Sequence, residues 1–405
     1  MIPLRLSTYT ATSCLGRGLV PTLAALRRKA SGLAPCRFET VDLPTCVGEV
    51  EGVDAVALPP ALARFDCRNN RLAQLGLEQD GFTERVREAA ARYGADRIAV
   101  LIGTSTSGIL ATELAYRRRD PATGALPDDF RYGETHNSFS VTDFVRRALA
   151  LEGPAWTVST ACSSSAKVFA SAQRLIATGF VDAAVVGGVD SLCLTTLYGF
   201  SSLELTSAAP CKPYDAARDG LSIGEGAAFA LLERAGSGAR GPGADAAAGD
   251  GAILLAGTGE SSDAYHMSAP RPDGLGARTA MAAALAMAGI APAEVGYVNL
   301  HGTATPANDT AEGNAVAALF GHGVACSSTK GATGHTLGAA GALEAVIAAL
   351  ALREGFIPAG ANTETPDPAI PVNYVLDARP LSGRYALSNS FGFGGTNCSL
   401  VLARS

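Results

Sequence analysis

Cys162 stands where an apolar strand gives way to a helix, in GPAWTVSTACSSSAKVFASAQRLIATG, residues 153–179. A helix N-terminus presents unbonded N–H groups and about half a positive charge. A thiolate there is stabilised, so the Cys162 pKa is expected to fall, and the residue's own amide is placed to donate to an oxyanion. The chain has only five histidines, and two occupy special places. His301 follows the strand VGYVNL, and His335 lies in SSTKGATGHTLGAAGALE, after a glycine-bearing turn and before a helix. Strand ends of parallel α/β sheets are where ligands bind. One helix-end cysteine and two strand-end histidines make a Cys/His nucleophilic site. The competing reading is a packed cysteine and two satisfied loop histidines. Lys330, one of four lysines, precedes His335 by five residues and reads either as a solvated loop charge or as part of the site. In SNSFGFGGTNCS, residues 388–399, three glycines interleave with Phe391 and Phe393. Such a turn can approach a ligand closely and offer a second oxyanion N–H. Its spacing is not GxGxxG and no P-loop lysine follows, which argues against a nucleotide.

The elements that must hold these residues alternate in α/β fashion. Strands are expected at 97–103, 153–160 and 182–190, the last reached through a helix at 163–178, which makes a βαβ unit with a parallel sheet. A strand at 226–233 closes that group, and the Gly/Ala-rich stretch 234–251 reads as an exposed, flexible connector. The pattern then restarts: strand 252–261, helix 277–290, strands 295–300 and 324–329, helix 337–353, and an antiparallel pair at 384–390 and 397–403. The chain therefore divides into halves, 1–250 with the cysteine and 251–405 with the two histidines.

Composition narrows the class. The 405 residues are 47% hydrophobic and carry a net charge of −6, so no global basic field favours nucleic acid. No basic and apolar leader is visible, and the most apolar helix, 336–354, contains Glu344, which favours a buried helix over a membrane span. Nine cysteines, an odd number with no CxxC pair, argue against a disulfide framework or a zinc site and suit free thiols in the cytoplasm.

Together the motifs TACSSSAK, CKPYDAARDGLSIGEGAA, SSDAYHMSAP, HGTATPANDTAE, SSTKGATGHTLGAAGALE and NSFGFGGTN, in this order, resemble the β-ketoacyl-acyl carrier protein synthases. The resemblance runs through nearly the whole chain. It implies the thiolase fold, two similar βαβ-rich halves packed as a five-layer αβαβα sandwich. It also implies decarboxylative Claisen condensation of a malonyl thioester with an acyl chain on Cys162, in fatty acid, polyene or polyketide synthesis. By position, His301 and His335 would bind the malonyl thioester carbonyl, and the amides of Cys162 and Phe393 would form the oxyanion hole. Phe393 would also gate the acyl site, with Phe391 beside it. Lys330 and Glu344 would order the histidine loop, and Thr303 and Thr305 would line the phosphopantetheine tunnel. Thr106, in LIGTSTSGIL, falls where the family lines its acyl pocket at a dimer interface. No cofactor of the chain's own is implied; the pantetheine arrives on an acidic acyl carrier protein. A structural monovalent cation, where the fold carries one, would sit near Asn299, Glu344 and Asn389. Arg68, Arg71 and Lys212, with Arg131, are the candidates for carrier docking. The family dimerises through the strand near 182–190, giving a homodimer or, alternatively, a heterodimer. The competing function is a non-catalytic, chain-length-factor-like partner subunit. Such subunits usually lack the cysteine that this chain keeps. Thiolases and initiating synthases use Cys/His/Cys or Cys/His/Asn sets, against which Gly334–His335 argues.

Overall fold

A computed structural model describes residues 3–235 and 251–405; of the connector read at 234–251, residues 236–250 lie outside the described residues. The elements that matter here are strands β1 (Leu4–Ser13), β2 (Ile98–Gly103), β3 (Ala155–Val158), β4 (Ala183–Asp190), β5 (Gly226–Arg234), β6 (Ile253–Ser262), β7 (Val295–Asn299), β8 (Ala325–Ser327), β9 (Tyr385–Gly392) and β10 (Thr396–Arg404). The helices are α1 (Arg68–Leu77), α2 (Phe82–Tyr93), α3 (Ser140–Ala148), α4 (Ser164–Ala177), α5 (Leu194–Ser202), α6 (Leu275–Ala288), α7 (Pro306–Phe320) and α8 (Ala340–Glu354).

The strand order is β8-β7-β9-β10-β6-β1-β5-β4-β2-β3, with a short strand Asn373–Tyr374 outside β8. The two halves are joined edge to edge, because β1 pairs with β6 at Leu4↔Leu255 and Arg5↔Leu254. Within the first half, β2 runs parallel to both β3 and β4, and β5 is antiparallel to β4. Within the second, β7 runs parallel to β8 and β9, and β9 and β10 form the expected antiparallel pair. The strand expected as the dimer edge, β4, is internal, between β2 and β5; the edge of this half is β3. A crossover places β4 there: the chain leaves β3, passes through α4, and returns on the far side of β2.

Three apolar layers stack on this sheet. Helices α4 and α8 fill the middle, packed with Leu6, Val186, Leu232, Leu400 and Leu402. Residues of α1, α2 and α3 cover one outer face with Val100, Val185 and Phe229. Residues of α6 and α7 cover the other with Val298, Leu387 and Val401. The result is the αβαβα sandwich. Helix α8 needs no polar stripe: every residue from Ala340 to Leu352 is buried, as a helix packed between the two halves of the sheet must be. No helix among the described residues is long and apolar enough to cross a membrane.

Small residues set how deeply the site sits. A Cβ on Gly103 would lie 2.3 Å from the Ser165 nitrogen, and one on Gly188 would lie 2.7 Å from the Ala339 Cα. Glycine at these two strand ends lets the first turn of α4 and the turn before α8 press onto the sheet.

Candidate active site

The C-terminal ends of the parallel strands in both halves meet at one place. β3 delivers Cys162, β7 delivers His301, the segment after β8 delivers Lys330 and His335, and β9 ends at the Phe-Gly turn. Cys162 lies two residues before the first residue of α4, and Ala161 before it adopts a left-handed φ of 52°. The backbone of His335 is gripped from both sides: its N–H donates to the Ser222 carbonyl at 2.7 Å, and its carbonyl accepts from Gly224 N–H at 3.0 Å. The Cys162 sulfur and one ring nitrogen each of His301 and His335 all lie within 4.8 Å of one another. The two imidazoles meet edge to face at 5.3 Å, and Phe391 packs on His301 at 5.9 Å.

Burial governs the electrostatics. Desolvation, and then the Lys330 charge, hold both histidines well below their usual pKa, so both are neutral at pH 7. Lys330 is no solvated loop charge. It is 1% exposed and pairs with Glu344, itself 2% exposed. Its ammonium also donates to the His301 carbonyl at 2.5 Å and lies 3.3 Å from His301 Nδ1. An ammonium can only donate, so Nδ1 accepts and the ring proton stays on Nε2. Burial pushes Glu344 up to about 7 against the pull of Lys330. Neither ring nitrogen of His335 has a hydrogen-bond partner, which leaves both free for a ligand.

The Cys162 thiol departs from expectation. Burial pushes it up to about 11, although the Phe393 amide, Lys330 and its own amide all pull it down. Desolvation of the anion outweighs the helix end because the sulfur is buried at the floor of a cavity. The Phe393 amide nonetheless faces that sulfur, as an oxyanion donor must. A hydroxyl cluster holds the two segments together: Thr396 Oγ1 donates to the Thr160 carbonyl at 3.0 Å, and Ser163 Oγ lies 3.1 Å from Thr396 Oγ1.

Cys162, His301, His335, Thr303, Thr305 and Phe393 line a cavity of about 250 Å³, joined by Phe391. The Thr303 and Thr305 hydroxyls are 2.9 Å apart. Sequence reasoning missed the apolar wall of Phe200, Leu205 and Leu221. Phe200 packs on Phe393 at 5.5 Å, and nothing in its flanking sequence marks it. Asp263 and Glu312 were visible inside SSDAYHMSAP and HGTATPANDTAE, but only tertiary contact gives them a job. Asp263 lines the cavity and accepts from Asn397 at 2.8 Å. Glu312 accepts from the amides of His301 and Gly302, both at 2.8 Å.

Thr106 does not line the cavity. It is buried, and its amide and hydroxyl both bond Asp190 at 2.7 Å. Arg68 is not a docking residue: its side chain is 4% exposed, forked onto buried Glu225 and paired with Glu49 and Asp54. Arg71 forks onto Asp66 at 2.6 and 2.7 Å, so its charge is largely balanced. Lys212 is half-buried and Arg131 exposed, and neither forms an ion pair among the described residues. Asn299 Oδ1, Glu344 Oε2 and Ser388 Oγ are buried without partners. Asn389 is not part of that set, since its oxygen accepts from Ser399 at 2.8 Å and its amide donates to Glu312 at 3.1 Å.

Five layers, with a buried Cys/His/His cluster where the strands of both halves end, define a thiolase-fold condensing enzyme. The descriptions "Beta-ketoacyl synthase, N-terminal domain" and "Beta-ketoacyl synthase, C-terminal domain" match residues 69–237 and 253–364. A 3-oxoacyl-[acyl-carrier-protein] synthase 2 of Rhizobium meliloti is 40% identical over 75% of this chain and 73% of its own length. That of Coxiella burnetii is 34% identical over 97% and 96%. Among solved structures, a ketosynthase in complex with its chain length factor from Xenorhabdus doucetiae superposes with a TM-score of 0.86 at 38% identity, covering 100% of this chain and 98% of that one. The ishigamide ketosynthase/chain length factor gives 0.86 at 27%, covering 100% and 99%. The chain belongs to the β-ketoacyl synthase family. It is a ketosynthase acyltransferase that carries out the condensing reaction.

Proposed function

We propose that Cys162 is the acyl-accepting nucleophile and that His301 and His335 drive decarboxylation. The observation that carries this is the cluster of one sulfur and two ring nitrogens within 4.8 Å, at the floor of a cavity. A thiol held near 11 must lose its proton to attack, and the Phe393 amide, Lys330 and the residue's own amide favour the thiolate it then forms. Cys162 Sγ adds to the thioester carbonyl of the acyl-carrier. The amides of Cys162 and Phe393 hold the oxyanion. The bond to pantetheine sulfur breaks, and that sulfur leaves with the proton. A malonyl thioester then takes its place, its carbonyl oxygen accepting from Nε2–H of His301 and from His335. Carbon dioxide departs, and the electron pair of the broken C–C bond forms the enolate. Two neutral N–H donors stabilise that charge without proton transfer. The enolate carbon attacks the acyl-Cys162 carbonyl, the C–S bond breaks, and the departing Cys162 thiolate takes up a proton from solvent.

Lys330 sets the His301 tautomer, and Glu344 balances its charge. Thr303 and Thr305 bind the pantetheine arm, and Phe391 and Phe393 guard the acyl site. The chain needs no cofactor of its own for these steps. Asn299, Glu344 and Ser388 have unpartnered oxygens that would hold a structural monovalent cation, which would offset the Glu344 carboxylate. Lys212 and Arg131 are the remaining docking candidates for an acidic carrier, in a cytoplasmic enzyme. Residues 1–250 would supply the nucleophile and 251–405 the histidines.

Incubation with acyl-carrier protein should add one acyl mass at Cys162, and Cys162→Ala should remove it. An unmodified Cys162 across several acyl donors would sink this reading. His301→Ala and His335→Ala should each lose malonyl decarboxylation by about 100-fold or more while still accepting acyl groups. Because solved neighbours are ketosynthases paired with a chain length factor, a heterodimer is the alternative to a homodimer. This chain would be its catalytic member, since it keeps Cys162, His301, Lys330 and His335.

A further inference from the structure

Asp190, the last residue of β4, is fully buried and none of the steps above uses it. Its carboxylate gathers donors from two separate segments. Oδ1 accepts from the hydroxyls of Thr104 and Thr106 and the amide of Thr106, each at 2.7 Å, and from the Ser105 amide at 2.8 Å. Oδ2 accepts from the Ala339 amide at 3.0 Å and, more weakly, from Ser105 at 3.1 Å. The first segment, 104–107, touches the Cys162 turn, because Ser105 Oγ donates to the Ala161 carbonyl at 3.3 Å. The second is the turn that follows His335. Each of the three segments contains one non-glycine residue with left-handed backbone: Ser107 (φ 43°), Ala161 (φ 52°) and Leu337 (φ 52°). Such conformations persist only where the surroundings over-determine them. Gly338 packs against the same carboxylate: a Cβ there would lie 2.7 Å from both Asp190 Oδ2 and Ser105 N.

We infer that Asp190 is a positioning residue for the condensation, a clamp whose Oδ2 fixes the turn after His335 in register with the segment that carries Cys162. It acts through His335 and touches neither substrate nor reacting atoms. The inference rests on the role proposed above for His335.

The two oxygens have different jobs, and this makes the clamp testable. In Asp190→Asn the amide keeps its oxygen where four donors converge. Its NH₂ then replaces Oδ2 and faces the Ala339 N–H, donor against donor. The variant therefore cuts the link to the His335 turn and spares the one to 104–106. Gly338→Ala attacks the same contact from the other side, without altering the charge, and carries the test should Asp190→Asn fail to fold. Both should lose malonyl decarboxylation at saturating substrate by about 10- to 100-fold, as a misplacement near 1 Å does. Acylation of Cys162 should stay within about 2-fold of wild type, and KM for the malonyl carrier should change little, because the carrier-facing cavity is untouched. Equal losses in both half-reactions would reduce Asp190 to a structural residue, and no loss in either would also overturn the clamp. His335→Ala, run alongside, separates the two levels. If it retains decarboxylation, the site assignment is wrong. If it loses decarboxylation while Asp190→Asn and Gly338→Ala keep it, only the clamp is wrong.

Discussion

The Cys162 thiol and its two neutral histidines are two answers to one physical pressure. Burial disfavours every charge at the cavity floor, so the thiol is held at about 11 and both imidazoles stay uncharged. A neutral imidazole with its N–H free suits the task of donating to an enolate. The signs can be read in one pH series. Alkylation of Cys162 by iodoacetamide follows the thiolate fraction, so its rate should climb roughly 10-fold per pH unit between pH 7 and 9. A plateau near pH 7 would mean a low-pKa thiolate instead. The histidines, held neutral, impose no loss of decarboxylation as pH falls from 8 to 6.5, so a fall in rate over that window reports Glu344 or Glu312, both held up to about 7 by burial. For stability, histidines of the unfolded chain take up protons below about 6.5 while the folded sites do not, so these sites favour unfolding as pH falls through that value. At this scale the sequence showed the residue types and little of their state. Position on a helix end pointed to a lowered thiol pKa, and depth in the fold reversed it. Arg68 failed likewise: a basic residue in CRNNRLAQ looks like a docking charge until Glu225, far away in the chain, buries it.

Among the elements, the first turn of α4 decides where the nucleophile sits, and the glycines beneath it decide how close it comes. Gly103→Ala would place a methyl 2.3 Å from the Ser165 nitrogen, which is backbone and cannot swing aside. The helix start and Cys162 must then shift. We expect a stability loss of about 1–3 kcal/mol in denaturant unfolding, as overpacking a core gives. Acylation of Cys162 should slow by more than the fall in folded fraction explains, and unchanged acylation would show that the turn tolerates the shift. Strands and helices were legible because their apolar patterns are local: β4, β7, β9, β10 and α4 fall within a few residues of expectation. The small residues at 103 and 188 were legible only as glycines. That they exist for helix-to-sheet approach is a property of two segments at once.

Over the whole molecule, β3 is the exposed strand edge of its half, and all four of its residues are only half-buried. An edge with unpaired backbone groups needs cover, so β3, rather than β4, is where a second subunit of this or a related chain should add. Sedimentation equilibrium should give twice the mass of one chain, or a heterodimer on co-expression with a chain-length-factor-like partner. Thr157→Pro, which removes a backbone N–H that pairing across this edge needs, should shift the wild-type assembly towards the single chain. A dimer that survives Thr157→Pro would place the interface elsewhere.

The sequence by itself determined the chemistry available: one thiol at a strand-to-helix junction, two histidines after strand ends, and a glycine turn with amides to offer. It also determined the layered α/β architecture, because periodicity and turn residues act over short range. Tertiary structure alone decided which groups are charged, which are buried and which meet. The Lys330–Glu344 pair, the Asp190 clamp, the Phe200–Phe393 contact and the internal place of β4 all join residues far apart in the chain. Desolvation and hydrogen bonding depend on that three-dimensional neighbourhood, and no local pattern encodes it.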